Sequence, residues 1–188
     1  AINVGGGNSA GAWINNGAFT ANTTTVTFTG TAAAPSIGGT INTAFNNLTI
    51  NKASNNLNID ITPTVNGVLT MTNGKLIAGA NRLILGVAAT VSTQGAPSYV
   101  VGTVQKNYSA AGTLTFPVGD ANNYTPVTIQ GTAGFTAGSL TITTTGNDHP
   151  QVTTPISSTG INASKSVTRF WTLASAAVPA ASANNETF

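Results

Sequence analysis

Residues 64–74 read Thr64-Val65-Asn66-Gly67-Val68-Leu69-Thr70-Met71-Thr72-Asn73-Gly74. From Val68 to Thr72 the chain carries apolar groups among Thr residues. This is the period-two pattern of a strand with one buried face. Thr suits such a strand because its β-branch restricts rotamers and packs on a pleated surface. Asn66-Gly67 and Asn73-Gly74 bracket it with the residue types that tolerate tight turns. The same texture extends both ways: Val26-Thr27-Phe28, Phe45 to Ile50 and Leu57-Asn58-Ile59-Asp60-Ile61 upstream, Leu76-Ile77 and Leu83-Ile84-Leu85 downstream. Asn55-Asn56, Pro63 and Gly79-Ala80-Asn81 punctuate them as turns. Leu57, Leu69, Leu76 and Leu83 are separated by 12, 7 and 7 residues, an irregular repeat with strands of about three to five residues. Two architectures fit. Short strands can be rungs of a solenoid that stack into a continuous core, or Asn-Gly can close antiparallel hairpins. The close spacing of the turns favours the solenoid.

A second texture begins near residue 97. Tyr99-Val100-Val101 with Val104, then Leu114, Phe116 and Val118, then Tyr124, Pro126-Val127 and Ile129, then Leu140-Thr141-Ile142-Thr143, and last Val167, Phe170, Trp171 and Leu173 mark strands at wider spacing. That spacing suggests a β-sandwich. Pro117 and Pro126 belong at strand ends or edges, where a missing amide costs least. Residues 144–165 are the longest stretch without a pattern. The expected fold is all-β: an N-terminal arm over 1–20, a repetitive solenoid-like region over 21–96 and an immunoglobulin-like sandwich region over 97–188.

Composition narrows the function. Of 188 residues only 5% are charged while 40% are hydrophobic. Soluble domains usually carry about 25% charge. The surface is therefore neutral and polar. The net charge of +2 comes from six scattered Lys and Arg; no cluster can neutralise a row of phosphates, which argues against nucleic acid. The absence of Cys removes disulfides and thiolate chemistry. No run of about 18 apolar residues exists, so no insertion into a membrane as a helix is expected. A chain opening on Ala1 fits a mature product after leader removal and equally a trimmed fragment.

Asn46-Asn47-Leu48-Thr49-Ile50, residues 64–74 and Asn81-Arg82-Leu83-Ile84-Leu85-Gly86 resemble repetitive modules of large secreted bacterial surface proteins, which are adhesin-like. The second half resembles their companion segment through Tyr99-Val100-Val101-Gly102, Gly112-Thr113-Leu114-Thr115-Phe116-Pro117-Val118-Gly119-Asp120, Tyr124-Thr125-Pro126-Val127-Thr128-Ile129 and Arg169-Phe170-Trp171-Thr172-Leu173. The resemblance spans roughly residues 23–173. It implies a short parallel β-helix followed by an immunoglobulin-like sandwich, and an extracellular or cell-surface location. It implies no chemistry.

The chain departs from that pattern in being small and in ending at Asn185-Glu186-Thr187-Phe188, the start of a strand. A sandwich short of a strand has an open edge, and strand addition from a neighbour closes it. The expected role is therefore structural and non-enzymatic: a subunit of an extracellular filament, with identical subunits as partners and the donor at 1–20 or 174–188. Trp13, Ile14, Phe19 and Phe188 are the expected intersubunit contacts, Trp13 being buried only on assembly. The alternative is a carbohydrate-binding or adhesive module with surface glycans as partners, presenting aromatics such as Trp13, Tyr99 or Trp171 on a flat face.

Chemistry has few candidates. His149 is the sole His, in Asn147-Asp148-His149-Pro150, and reads as a loop residue because no second His or paired acid completes a metal or triad site. Asp60, Asp120, Asp148 and Glu186 are too dispersed in sequence to suggest the flanking pair of a glycosidase. Asp60 reads as an outward strand residue and Asp120 as a turn cap. Asp120 with Asn122 and Asn123 is the one tight oxygen cluster; it reads as an Asx turn before a calcium site. Gly5-Gly6-Gly7 lacks the Lys and the helix of a phosphate loop. No cofactor or metal is expected. An ice-binding solenoid requires one residue type in register along a face, and the irregular spacing argues against it.

Overall fold

The computed structural model describes residues 1–5, 12–33, 35–131, 137–153, 167–176 and 184–187. Its first part is a parallel β-solenoid of five rungs. The first rung holds β1 (Ile2–Val4) and β2 (Trp13–Asn15); the second β3 (Thr25–Phe28), β4 (Ser36–Gly39) and β5 (Ala44–Phe45). The third holds β6 (Asn47–Asn51), β7 (Leu57–Ile59) and β8 (Thr64–Val65). The fourth holds β9 (Val68–Asn73) and β10 (Leu76–Leu85); the fifth β11 (Thr90–Ser92) and β12 (Val100–Tyr108).

Three faces result. The first is a sheet in the order β1-β3-β6-β9-β11, parallel throughout. The second stacks β2, β4, β7 and the starts of β10 and β12. The third stacks β5, β8 and the ends of the same two long strands. Strands β10 and β12 thus turn a corner without breaking.

The inward positions form columns of apolar side chains. Val26, Leu48, Leu69 and Val91 are aligned, successive members 22, 21 and 22 positions apart. Phe28, Ile50 and Met71 form the next column, and Phe45, Val65 and Leu85 one on the third face. All but Val91 are 0–1% exposed. Burying a Leu- or Phe-sized group is worth about 1.5–3 kcal/mol, so these columns hold the solenoid together.

Three sequence expectations need correction here. The 12, 7, 7 spacing compares leucines on different faces; within one face the period is about 22 residues, in the range of solenoid repeats. Strands of three to five residues were expected over the repetitive region, yet β10 has 10 residues. Gly79-Ala80-Asn81, expected as a turn, lies inside β10 as an irregularity between Ile77 and Arg82. It makes the corner: opposite it, Gly102 has a φ of +112°, and a Cβ there would stand 3.1 Å from that of Ala78.

The second part is antiparallel and mixed, as a sandwich-like region requires. β13 (Gly112–Phe116) is followed by β14 (Val118–Gly119), which adds in parallel to β12. Then come β15 (Val127–Gly131), β16 (Gly138–Thr145), a short helix α1 (Pro150–Thr153), β17 (Phe170–Ser175) and β18 (Asn184–Thr187). β16 pairs antiparallel with β12, and β17 with β16. β13, β15 and β18 form a separate antiparallel sheet. Leu114, Phe116, Val127 and Ile129 from that sheet, with Leu140 and Ile142 of β16, join the solenoid columns in one core. Pro117 and Pro126 fall at strand ends, as read from the sequence. β12 is both the last rung and the strand on which the antiparallel extension is built, and β1 and β2 bring residues of the first twenty into the solenoid sheets.

Candidate functional site

Two regions concentrate the unusual side chains: the first rung, and the junction between solenoid and sandwich-like region.

At the first rung, β1 and β2 each hydrogen-bond a strand on one side only among the described residues. Ile2 is 40% and Ile14 58% exposed. Trp13, one strand-pair above Ile37, packs edge-on against Phe19 at 4.9 Å and Phe45 at 5.3 Å between ring centroids. Its indole N–H donates to Thr43 Oγ1 at 3.0 Å. Trp13 and Phe19 are therefore half-buried within the chain itself. The expectation that Trp13 is buried only on assembly fails because Phe19 folds back over it and Thr43 supplies its acceptor. Of the four expected contact residues, Trp13, Ile14 and Phe19 share this rung; Phe188 lies outside the described residues.

At the junction, Tyr99 is fully buried and donates its hydroxyl to the Asp120 carbonyl at 3.0 Å. A Cβ on Gly119 would strike that ring, which explains the glycine. The Asp120 carboxylate accepts the amides of Asn122 and Asn123 at 2.8 Å each and Arg169 Nε at 2.7 Å. Burial pushes its carboxyl up, but these donors outweigh it and hold the pKa at about 2. The oxygens that a cation would need are thus engaged in an Asx turn and an ion pair. Lys75 donates to the Ala121 carbonyl and lies 4.9 Å from the centroid of the Tyr99 ring. Trp171 Nε1 donates to the Thr125 carbonyl at 3.2 Å. The cluster ties β10, β12 and β17 to the loop between β14 and β15.

Two lysines that sequence reading passed over as scattered surface charge are buried. Lys106 continues the column of Phe45, Val65 and Leu85, and its ammonium donates to the carbonyls of Gly86, Val87 and Ala89. Lys52, 1% exposed, donates to the Thr29 carbonyl at 3.3 Å. Burial lowers the pKa of both. Their signal in the sequence is position: Lys106 falls at an inward place once the 22-residue register is known.

The other candidates separate. His149 stacks edge-on against Phe170 at 4.9 Å. Asp60 is exposed on its strand end, and Asp120 pairs with Arg169. Among the described residues no three His, Cys, Asp or Glu come together, and no helix is long and apolar enough to cross a membrane. The outward column of the first face reads Asn3, Thr27, Thr49, Thr70 and Ser92 in register. The irregular spacing raised against a repeated face is therefore not real. The neighbouring column, Thr25, Asn47, Val68 and Thr90, is nevertheless mixed. Comparison with known proteins returns no matching family model, no matching curated protein and no matching solved structure.

Proposed function

We propose that this chain is a structural, non-catalytic subunit of an extracellular bacterial filament or surface fibre, joined to identical subunits by strand complementation. The observation that carries the reading is the first rung, whose strands pair on one side among the described residues and which exposes Ile2 and Ile14 beside a half-covered Trp13–Phe19 pair. Apolar side chains exposed beside a sheet strand are surface that a further strand or a neighbouring chain would cover. The low charge supports it further, because identical neutral subunits stack with little repulsion. The resemblance to secreted adhesin-like modules supports the location. A glycan-binding module would need an exposed aromatic platform, whereas Tyr99 is buried and Trp13 and Trp171 are half-buried with their indole N–H groups bonded.

Negative-stain electron microscopy of the purified chain, with and without residues 1–13, tests the reading. Fibres from the intact chain that vanish on deletion, with circular dichroism still reporting sheet, support it. Fibres that survive the deletion move the connector to 174–188. No fibres from either sample defeat the polymer reading.

A further inference from the structure

We propose that Asn73-Gly74 is a site of spontaneous covalent modification, at which the Gly74 nitrogen cyclises onto the Asn73 carboxamide and converts it to aspartate and isoaspartate.

The sequence holds three Asn-Gly pairs, Asn16-Gly17, Asn66-Gly67 and Asn73-Gly74. In each, a glycine without a Cβ leaves its amide nitrogen unshielded beside a thermolabile side chain, so the dipeptide alone ranks them equally.

The structure separates them. The Gly67 amide donates to the Asn46 carbonyl at 2.7 Å. Asn66 Oδ1 lies against Gly86, where an added Cβ would stand 2.5 Å from it. Nitrogen and carboxamide are thus held by different neighbours. Asn16 is held in the same way: its Oδ1 accepts the Thr40 amide at 3.0 Å, and the Gly17 amide donates to Asn15 Oδ1 at 3.2 Å. At Asn73-Gly74, alone of the three, the glycine amide donates to the carboxamide of its own asparagine, Gly74 N to Asn73 Oδ1 at 3.1 Å. That contact sets the nitrogen beside Cγ, the atom it must attack. The same hydrogen is shared with the Pro97 carbonyl at 3.2 Å, so neither bond holds it as firmly as the shorter bond holds Gly67.

Two further features assist the reaction. Asn73 is exposed and ends β9, where the pairing with β6 shifts register between Ile50 and Asn51. Water and base reach it, and a regular ladder does not fix it. Its carbonyl accepts the Lys52 amide at 2.9 Å. Loss of the Gly74 proton places negative charge on that oxygen, where the bond stabilises it.

Hydroxide or a buffer base takes the Gly74 amide proton, and the nitrogen forms a bond to Cγ. The Cγ–Nδ2 bond breaks, and Nδ2 takes up a proton and leaves as ammonia. Water then opens the cyclic imide: cleavage at Cγ gives Asp, and cleavage at the main-chain carbon gives isoAsp. IsoAsp turns the carbonyl bonded by Lys52 into a side carboxylate. It also lengthens the main chain by a carbon ahead of Gly74, whose carbonyl accepts Ser98 Oγ at 2.7 Å. Either product adds a negative charge to a chain of net charge +2.

The test is incubation of the purified chain in mildly alkaline buffer, followed by tryptic mapping with tandem mass spectrometry and enzymatic isoaspartate labelling. In the folded chain Asn73 should convert about tenfold or more faster than Asn66 and Asn16, whose reaction first requires local opening. In urea the three rates should draw together. Asn73→Gln, at an exposed position, should remove the early isoaspartate label from the folded chain. Conversion of Asn66 or Asn16 as fast as Asn73 in the folded chain would overturn the proposal. So would a preference for Asn73 that persists undiminished in urea, an Asn73 that keeps its amide in the folded chain while the unfolded chain converts, or a label that survives Asn73→Gln.

Discussion

Replacing Lys106 by Met tests whether a buried cation is a structural part of the solenoid corner. Lys106 is 6% exposed and sits in line with Phe45, Val65 and Leu85. Met keeps the length and removes the ammonium. The Gly86 carbonyl retains the Ala89 amide at 3.1 Å, and the Val87 carbonyl belongs to a residue 54% exposed, so water can serve it. The Ala89 carbonyl has no other donor among the described residues. Orphaning one buried acceptor costs about 1–3 kcal/mol. Relief of the ammonium's desolvation offsets part, leaving a net loss of about 1–2 kcal/mol. For a chain of this size that lowers Tm by about 2–8 °C. The pH profile adds an independent reading. Because burial lowers the Lys106 pKa below 10.5, the unfolded chain holds a proton that the folded chain gives up in the window just below that value. Stability of the parent therefore rises with pH through that window. Lys52 contributes in the same direction to parent and variant alike, so the difference between their urea-denaturation profiles isolates Lys106. A variant that melts at or above the parent temperature and shows the same alkaline slope would refute the carbonyl cage.

Leu48→Ala should cost about 3–5 kcal/mol in urea denaturation, since Leu48 is 0% exposed within its column, whereas Thr49→Ala on the outward side should stay within about 0.5 kcal/mol; equal effects would mean the register is wrong. Gly102→Val should lose about 1–3 kcal/mol, because a β-branched residue must adopt a φ of +112° and meet Ala78, and a neutral result would contradict the corner geometry. Asp120 is held at about 2 against an ordinary 3.8, so it contributes stability above pH 3.8 that is lost as pH falls through 2. Asp120→Asn should remove about 1 kcal/mol of that after solvent screening and flatten the acid limb of the unfolding curve; an unchanged limb counts against the Asp120–Arg169 pair.

Where apolar residues alternate clearly, strand existence and facing were legible because they depend on local alternation; β1, β2, β4 (Ser36–Gly39) and β11 (Thr90–Ser92), short and poor in such alternation, were not. Val26, Phe28, Leu48, Ile50, Leu69 and Met71 all point inward as their spacing implies. Rung length was not legible. The repeat is set by which strands pair, and the corners vary in length, so Leu57 to Leu76 spans 19 residues while Leu76 to Val100 spans 24. Gly79 misled because a glycine that bends a strand and one that ends it look alike in sequence. The Asp120 turn was readable since Asn122 and Asn123 follow it directly, but its bond to Arg169, 49 residues on, was not. Trp13 and Phe19 were singled out for their size; that they already pack together depends on Phe45 and Thr43 from the next rung.

The geometry also limits how strong a joint can be. β1 and β2 are three residues each, so a strand added to either forms only a few backbone hydrogen bonds, each worth about 0.5–1.5 kcal/mol net. Association costs on the order of 4–15 kcal/mol in lost freedom. Backbone pairing alone therefore cannot hold two subunits together. What remains is apolar burial, and the first rung supplies it in Ile2, Ile14 and the uncovered parts of Trp13 and Phe19. Strand edges give such a contact its register and polarity, while the rung's side chains supply its energy. Ile14, at 58% exposed, is among the most exposed large apolar groups of the described residues. A filament of such subunits would be governed by subunit concentration more than by salt, because only 5% of the residues are charged.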